Sequence, residues 1–380
     1  MNKITIPPEY ETELYRCVRC GFCTPTCPIY EAKGTESWNC RGRIIIEKEL
    51  SLGTLNVTND VFYRLYTCTL CKICETNCPA KIQVTTIQEH VREQLVKQGL
   101  GPLTAHHEIK ENILNSGNIA GNSKPQFETH IEPYIDKIPD DSTNLLFSGC
   151  VGTFNYPNIT VNAIKLLQHA KYDFTMIKTG ETCCSGFLKV VGFASEFEEI
   201  AKRNINIFEE KGINHVLSAC PMCYGSFQNE YSNISHKTLK AQHLVQVLED
   251  LLDNNKFKFR KTITRKVLFY DGCHLGRYNH QYNAPRKILE NIPGIELVEL
   301  PRSRDQTPCC GGTIRNPYIE LRDHLSDNII NQALKAGADI VVPACPTCFH
   351  NLRSAGIMYN TQVVDFTSMI AYSCGLTNSL

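Results

Sequence analysis

Eighteen of the twenty cysteines in this 380-residue chain fall into four spaced groups. Two are short runs of the form C-x2-C-x2-C-x3-C-P: Cys17, Cys20, Cys23 and Cys27 before Pro28, then Cys68, Cys71, Cys74 and Cys78 before Pro79. The other two repeat a longer C...CC...C-x2-C pattern: Cys150, Cys183, Cys184, Cys220 and Cys223, then Cys273, Cys309, Cys310, Cys345 and Cys348. Thiolates at such intervals ligate metal, and the longer step before each Cys-Pro belongs to iron–sulfur ligation rather than to a four-sulfur zinc ribbon. Disulfides are not expected, because no signal peptide opens the sequence and a reducing cytoplasm keeps thiols free.

The short runs predict two 4Fe-4S cubanes. Closely spaced cysteines on a tight loop can cap three irons of one cubane, and the last iron then needs a ligand from elsewhere. In the two-cluster spacing the fourth cysteine of each run ligates the other cluster. Cys17, Cys20, Cys23 and Cys78 are therefore expected to hold one cubane, and Cys68, Cys71, Cys74 and Cys27 its neighbour. The proline after each last cysteine is expected to start a helix, where its missing N–H costs nothing. Helices are predicted over 43–50, 59–66 and 85–98, the last with an apolar face of Ile87, Val91 and Leu95.

Corresponding cysteines of the two longer groups lie 123, 126, 126, 125 and 125 residues apart, which reads as a duplicated domain. In each copy a strand is expected to end at the first cysteine, over 144–150 and 266–273. An amphipathic helix (162–170; 284–292), a short strand (174–177; 296–300), a longer helix (198–211; 319–335) and a strand into the C-x2-C (215–220; 339–345) follow. Alternation of this kind predicts a parallel sheet with helices on its faces. The cysteines then fall just past the C-terminal ends of strands, where open α/β sheets bind ligands. Neighbours such as Cys183-Cys184 cannot easily cap two corners of one cubane, so a distorted or split cluster is one reading. An ordinary cubane with a spare thiol, or a mononuclear metal, is equally open on spacing alone.

These elements divide the chain into a helical module with two clusters (1–115), a linker rich in Asn, Ser, Gly and Pro (116–141), and two α/β domains (142–262 and 263–380). The 39 basic residues balance the 39 acidic ones, so nucleic acid is not expected as a partner. No apolar run approaches the roughly 18 residues of a membrane span. A dinucleotide fingerprint of the G-x-G-x-x-G kind is absent, so flavin or nicotinamide would reside on a partner. Cys40 and Cys374 stand outside every group and are expected to be buried structural thiols.

The double cysteine-rich pattern behind a two-cluster ferredoxin module resembles the CCG-domain iron–sulfur proteins over nearly the whole chain. The likeness is strongest to the heterodisulfide reductase branch, and within it to the D component, equivalent to fused C and B subunits of the soluble enzyme. Iron–sulfur subunits of glycolate oxidase, anaerobic glycerol-3-phosphate dehydrogenase and lactate-utilisation systems are sisters. Arg41-Gly42-Arg43-Ile44 resembles their R-G-R-I element, and Asp271-Gly272-Cys273-His274-Leu275-Gly276-Arg277 their D-P-C-H-L segment, with Gly272 where proline is usual. The first copy departs slightly, reading Cys183-Cys184-Ser185-Gly186 as if a serine were inserted, against Cys309-Cys310-Gly311-Gly312. The fold implied is α+α/β: an N-terminal helical two-cluster ferredoxin module followed by two duplicated α/β CCG domains.

The resemblance implies that each complete CCG motif binds a non-cubane 4Fe-4S cluster, with the substrate disulfide cleaved between the two. It implies a disulfide reductase, the catalytic subunit of a heterodisulfide (CoM-S-S-CoB type) enzyme of methanogenesis, passing single electrons from two cubanes to the CCG centres. The second reading is an electron-relay subunit of an FAD-linked hydroxy-acid (glycolate or lactate type) dehydrogenase. A membrane cytochrome b or a flavoprotein electron-transfer subunit is the partner expected, and a cytoplasmic site, peripheral on the inner face of the membrane where the partner is a cytochrome. His274, beside Cys273, is the candidate general acid, with packing against the ligand its other role. Lys189, Arg277, Arg302, Arg304 and Arg315 are candidate contacts for an anionic disulfide.

Overall fold

The computed structural model describes residues 3–122, 131–134, 136–178, 181–235, 239–314 and 316–380. The N-terminal part is helical, with helices Pro8–Arg16, Pro28–Lys33, Cys40–Leu52, Asn59–Tyr66, Ile73–Thr76, Val84–Lys97 and Thr104–Ser116. Cys40–Leu52 begins three residues before the expected start because Asn39 caps it, its side chain accepting the Gly42 N–H at 2.9 Å. Ile44 and Leu50 from this helix and Ile87, Val91 and Leu95 from Val84–Lys97 are buried in one core. Pro28 opens a helix as its position predicts. Pro79 does not: Lys81 takes a left-handed conformation (φ 53°), through which an α-helix cannot run, and the helix starts only at Val84.

Two parallel sheets follow. In the first, β1 (Asn144–Phe147), β2 (His215–Ser218) and β3 (Lys240–His243) lie in the order β1-β2-β3, with Asn144 opposite His215 and His215 opposite Lys240. In the second, β4 (Arg265–Tyr270), β5 (Ile295–Val298), β6 (Ile340–Pro343) and β7 (Gln362–Val363) lie in the order β5-β4-β6-β7. The strand expected over 174–177 is reduced to a single bridge, Thr175 to Leu145, on the free edge of β1. Restoring that bridge makes the two sheets the same arrangement. β3 and β7 carry no apolar run and are too short for a periodic signal, so the sequence pattern does not show them. Helices Pro157–His169, Ala194–Glu210, Leu244–Asp253, Asn283–Glu290, Ile319–Lys335, Pro346–Met358 and Phe366–Ser373 cover the sheets. Val216, Leu217, Val267, Leu268, Val341 and Val342 are fully enclosed between them.

The helical module is clamped to the first repeat. Tyr66 donates to the Val191 carbonyl at 3.2 Å, and Arg92 to the Val190 carbonyl at 2.7 Å. Gly192 makes this approach possible: its φ is 103°, and a Cβ there would lie 2.5 Å from the Arg92 carbonyl oxygen. Ile131 and Ile138, inside the segment read as a linker, are buried in the core that both repeats share. Among the described residues no helix is long and apolar enough to cross a membrane.

Candidate metal centre

All ten cysteines of the two longer groups line one cavity of about 70 Å³, together with Ile119, Phe187, Met222, His274 and Thr313 among others. A single water needs only about 10–15 Å³. The local fold explains the gathering. Cys220 and Cys345 stand two residues past β2 and β6 and cap the helices Pro221–Gly225 and Pro346–Met358, each opened by a proline in its first turn. Cys150 and Cys273 follow β1 and β4 after Gly149 and Gly272, whose Cβ atoms would meet Cys223 Sγ at 3.4 Å and Cys348 Sγ at 3.2 Å. At Gly272 a side chain would require the Cys348 thiol to give by a few tenths of an ångström, while at Gly149 the space is ordinary and it is the φ of 74° that favours glycine. The serine of the first motif replaces a glycine rather than being inserted: Ser185 (φ 56°) and Gly311 (φ 76°) hold the same left-handed position. Their N–H groups make the same bond, to Cys183 Sγ at 3.3 Å and to Cys309 Sγ at 3.4 Å.

Within each repeat the sulfurs are close enough to share protons. Cys150 and Cys183 lie 3.6 Å apart, and Cys310 and Cys348 3.3 Å. Hydrogen bonds from Cys183 and Cys223 draw the Cys184 thiol well below its ordinary range, and bonds from Cys309 and Cys348 do the same for Cys310. The repeats also meet directly: Cys220 is lowered by hydrogen bonds from Cys223 and from Cys345 of the other repeat. The thiols surround a space instead of converging on a point, and among the described residues no three His, Cys, Asp or Glu side chains close on a single bare ion. That arrangement, with soft sulfur donors throughout, fits iron–sulfur groups of several atoms.

Cys17, Cys20, Cys23 and Cys78 line a second cavity of about 30 Å³, with Cys40 beside them. Cys27 lies within electrostatic reach of Cys71 and Cys74, and Cys68 of Cys74. The structure therefore brings Cys78 to the first run and Cys27 to the second. Cys40 occupies the gap between these sets, hydrogen-bonded to Cys23 on one side and Cys74 on the other, a place that no motif announces. Cys374 is wholly buried beneath the last helix. The second set in turn touches the ten-cysteine cavity, because Cys71 packs with Cys273 and Cys309. Thr313 donates to the Thr69 carbonyl at 2.7 Å, and Tyr278 to the Leu70 carbonyl at 2.7 Å, locking that junction.

His274 lies half-buried in the cavity wall, with its enclosed Nε2 free of any hydrogen bond and its ring stacked 4.5 Å from Tyr278. Burial pushes it down to about 4, so the imidazole is neutral near pH 7. The cationic candidates stand elsewhere. Lys189 pairs with Glu230 at 2.8 Å and Glu89 at 3.1 Å, Arg302 with Glu31 at 3.2 Å, and Arg304 reaches Asn283 at 2.7 Å. Arg277 is buried against backbone carbonyls, and Arg315 lies outside the described residues. Glu181 was not singled out by spacing, yet it accepts the Ser148 and Gly149 N–H groups at 3.0 Å beside Cys150, and burial pushes its carboxyl up to about 7.

The cysteine-rich domain family CCG matches residues 145–228 and 267–353, and the 4Fe-4S dicluster domain family matches 13–82. The chain is 29% identical to the D subunit of the dihydromethanophenazine:CoB--CoM heterodisulfide reductase of Methanosarcina barkeri, over 97% of this chain and 95% of that one. It is 23% identical to an EtfAB:quinone oxidoreductase of Syntrophomonas wolfei, covering 94% of this chain and 58% of that one. A hypothetical protein from Helicobacter pylori superposes with a TM-score of 0.55 over 98% of this chain and 74% of that one; at 10% identity it is similar in fold alone.

Proposed function

Because this chain belongs to the CCG-domain iron–sulfur proteins, we propose that it is the catalytic subunit of a disulfide reductase of the heterodisulfide type. The observation that carries this reading is the single cavity walled by the thiols of both repeats. A disulfide has two sulfurs that must part, and a site with ligating groups on two sides can hold each of them. When bound, cubanes on the two ferredoxin-type sets and non-cubane 4Fe-4S clusters on the two five-cysteine sets would supply single electrons and Lewis-acid stabilisation of thiolate charge.

The rest falls to the chain. Cys17, Cys20, Cys23 and Cys78 form the entry set: Cys20 is exposed, and Val18 and Phe22 around it are 74% and 64% exposed, as a surface that meets a redox partner requires. Cys27, Cys68, Cys71 and Cys74 form the inner set, in contact with the second repeat through Cys309. Ile119, Phe187 and Met222 give the cavity an apolar stretch of wall. His274 keeps an unpartnered Nε2 in the cavity wall; neutral near pH 7, its imidazole would orient or relay a proton that reaches a departing sulfur from solvent, in place of the general acid its position in the sequence suggests. A cytochrome b or a flavoprotein subunit is the partner in this reading, and the cytoplasmic face of a membrane its location.

The second reading is an electron relay for a flavin-linked hydroxy-acid dehydrogenase; the likeness to an EtfAB:quinone oxidoreductase, of which the chain spans 58%, supports its relay part alone. Low-temperature electron paramagnetic resonance of the oxidised protein, with and without coenzyme M thiol, separates the two. A paramagnetic species that forms only with thiol supports the reductase. Ordinary cubane signals with no response to thiol would overturn it in favour of the relay.

A further inference from the structure

Three arginines are buried around the Cys68–Cys74 loop: Arg43, Arg92 and Arg277 are at most 6% exposed. Among the described residues none of them forms an ion pair. Arg43 donates to the Arg64 carbonyl at 2.7 Å and hydrogen-bonds the Cys27 sulfur. Arg92 donates to the carbonyls of Val190, Leu65 and Cys68 at 2.7, 2.9 and 2.8 Å, and its Nε has no partner. Arg277 donates to the carbonyls of Cys71, Asp305 and Thr307, and its Nη2 has no partner.

The acids nearby form no ion pair with them. Glu47 lies within electrostatic reach of Arg43 and Arg92, yet neither of its oxygens is hydrogen-bonded. Burial pushes its carboxyl up to about 8, leaving it neutral at pH 7. Glu89, whose charge reaches Arg92, is bound to Lys189 at 3.1 Å. Asp271 is taken by Arg286 at 2.7 Å. A buried guanidinium without a counter-ion is costly, so natural interiors pair such charges. What the three arginines do face is sulfur: the charge of Arg43 reaches Cys68 and Cys27, that of Arg92 reaches Cys68, and that of Arg277 reaches Cys71, Cys273 and Cys309. The entry set differs. Its nearby Arg41 is ion-paired to Glu36, and Cys20 is open to solvent.

We propose that Arg43, Arg92 and Arg277 are the counter-charges of the iron–sulfur group on Cys27, Cys68, Cys71 and Cys74, and raise its electron affinity above that of the group on Cys17, Cys20, Cys23 and Cys78. This rests on the ligand sets of the proposed function. One electron adds one negative charge to the inner group, and fixed positive charge in a poorly polarisable interior lowers the energy of that state. An electron arriving at the exposed set then runs downhill toward the Cys71 and Cys309 junction. Arg277 thereby acts as a positioning charge between the inner set and the second repeat.

The test is a redox titration of the holoprotein followed by electron paramagnetic resonance, with iron content measured alongside. Arg92→Gln and Arg43→Gln are expected to weaken the electron affinity of the inner site by about tenfold, equivalent to about 59 mV for one electron, leaving the entry site unmoved. Arg92→Lys keeps the charge and is expected to hold the wild-type potential. If Arg92→Gln loses iron, Arg277→Gln, on a loop of the other domain, carries the same expectation. Unchanged potentials in glutamine variants that keep their iron, equal shifts at both sites, or a lysine variant displaced as far as the glutamine one would overturn the proposal. Wild-type protein with only one cubane signal would overturn the ligand sets, and this proposal with them.

Discussion

The Cys71 side chain packs against Cys309, so the second ferredoxin-type run meets the second cysteine-rich repeat thiol to thiol, whereas Arg92 links it to the first by donating to both the Cys68 and the Val190 carbonyls. The thiols therefore adjoin one another in a series, from an exposed set past Cys40 to an inner set, on to the second repeat, and across Cys345 to Cys220 of the first.

That asymmetry gives the first expectation. If the proposed function holds, Cys309→Ser should alter the paramagnetic signal of the inner site as well as abolishing disulfide reduction, whereas the equivalent Cys183→Ser should abolish reduction and leave the signals of both ferredoxin-type sites intact. Matching effects of the two variants on the inner signal would show that the contact does not couple the sites.

Cys78 sits with the first run although it belongs to the second. Replacing Cys78 with serine should perturb the signal of the site held by Cys17, Cys20 and Cys23, read by electron paramagnetic resonance and iron content. A change confined to the site of Cys68, Cys71 and Cys74 would reverse the assignment.

Ser185 and Gly311 occupy one left-handed position in two environments. Ser185→Gly should be tolerated, relieving about 1 kcal/mol of backbone strain against the loss of the serine hydroxyl bond to the Cys184 carbonyl at 2.7 Å. Gly311→Ser should destabilise by about 1–3 kcal/mol, because its Cβ would lie 3.2 Å from the Arg322 Cα. Thermal unfolding of the two variants measures the contrast.

His243 caps helix Leu244–Asp253 with Nδ1, which accepts the Val245 N–H at 3.2 Å, while Nε2 faces the Ala219 carbonyl at 3.0 Å. Burial pushes it down to about 4. Its pKa is thus lower in the folded chain than in the unfolded one, and the unfolded chain binds more protons between about pH 6.5 and 4. Its contribution to stability is present above that window and lost as pH falls through it, by up to about 1.4 kcal/mol per pH unit. His243→Asn keeps a capping side chain and removes the titration. Its melting temperature should fall less than that of wild type between pH 6.5 and 4.5; parallel curves would assign the acid sensitivity elsewhere, His106 being the next buried histidine, pushed down to about 3.

Cysteine spacing, the duplication and the strand-helix order were legible in the sequence because each is a local or periodic property. Helix Ile319–Lys335 has the limits its apolar period predicts, and Pro28, Pro221 and Pro346 open helices where proline costs nothing. The two-cluster spacing also anticipated that Cys78 would stand with the first run. Tertiary structure decided what no spacing encodes. It merged two five-cysteine groups into one cavity, put Cys40 between two thiol sets, and turned Lys189 and Arg302 outward into ion pairs. It also carried Arg277, some 200 residues beyond Cys71 in sequence, onto the Cys71 carbonyl. The reason is physical: a periodic pattern names the face a residue shows, but which charges and thiols share a buried space depends on how whole faces pack, and that is settled over the entire chain at once.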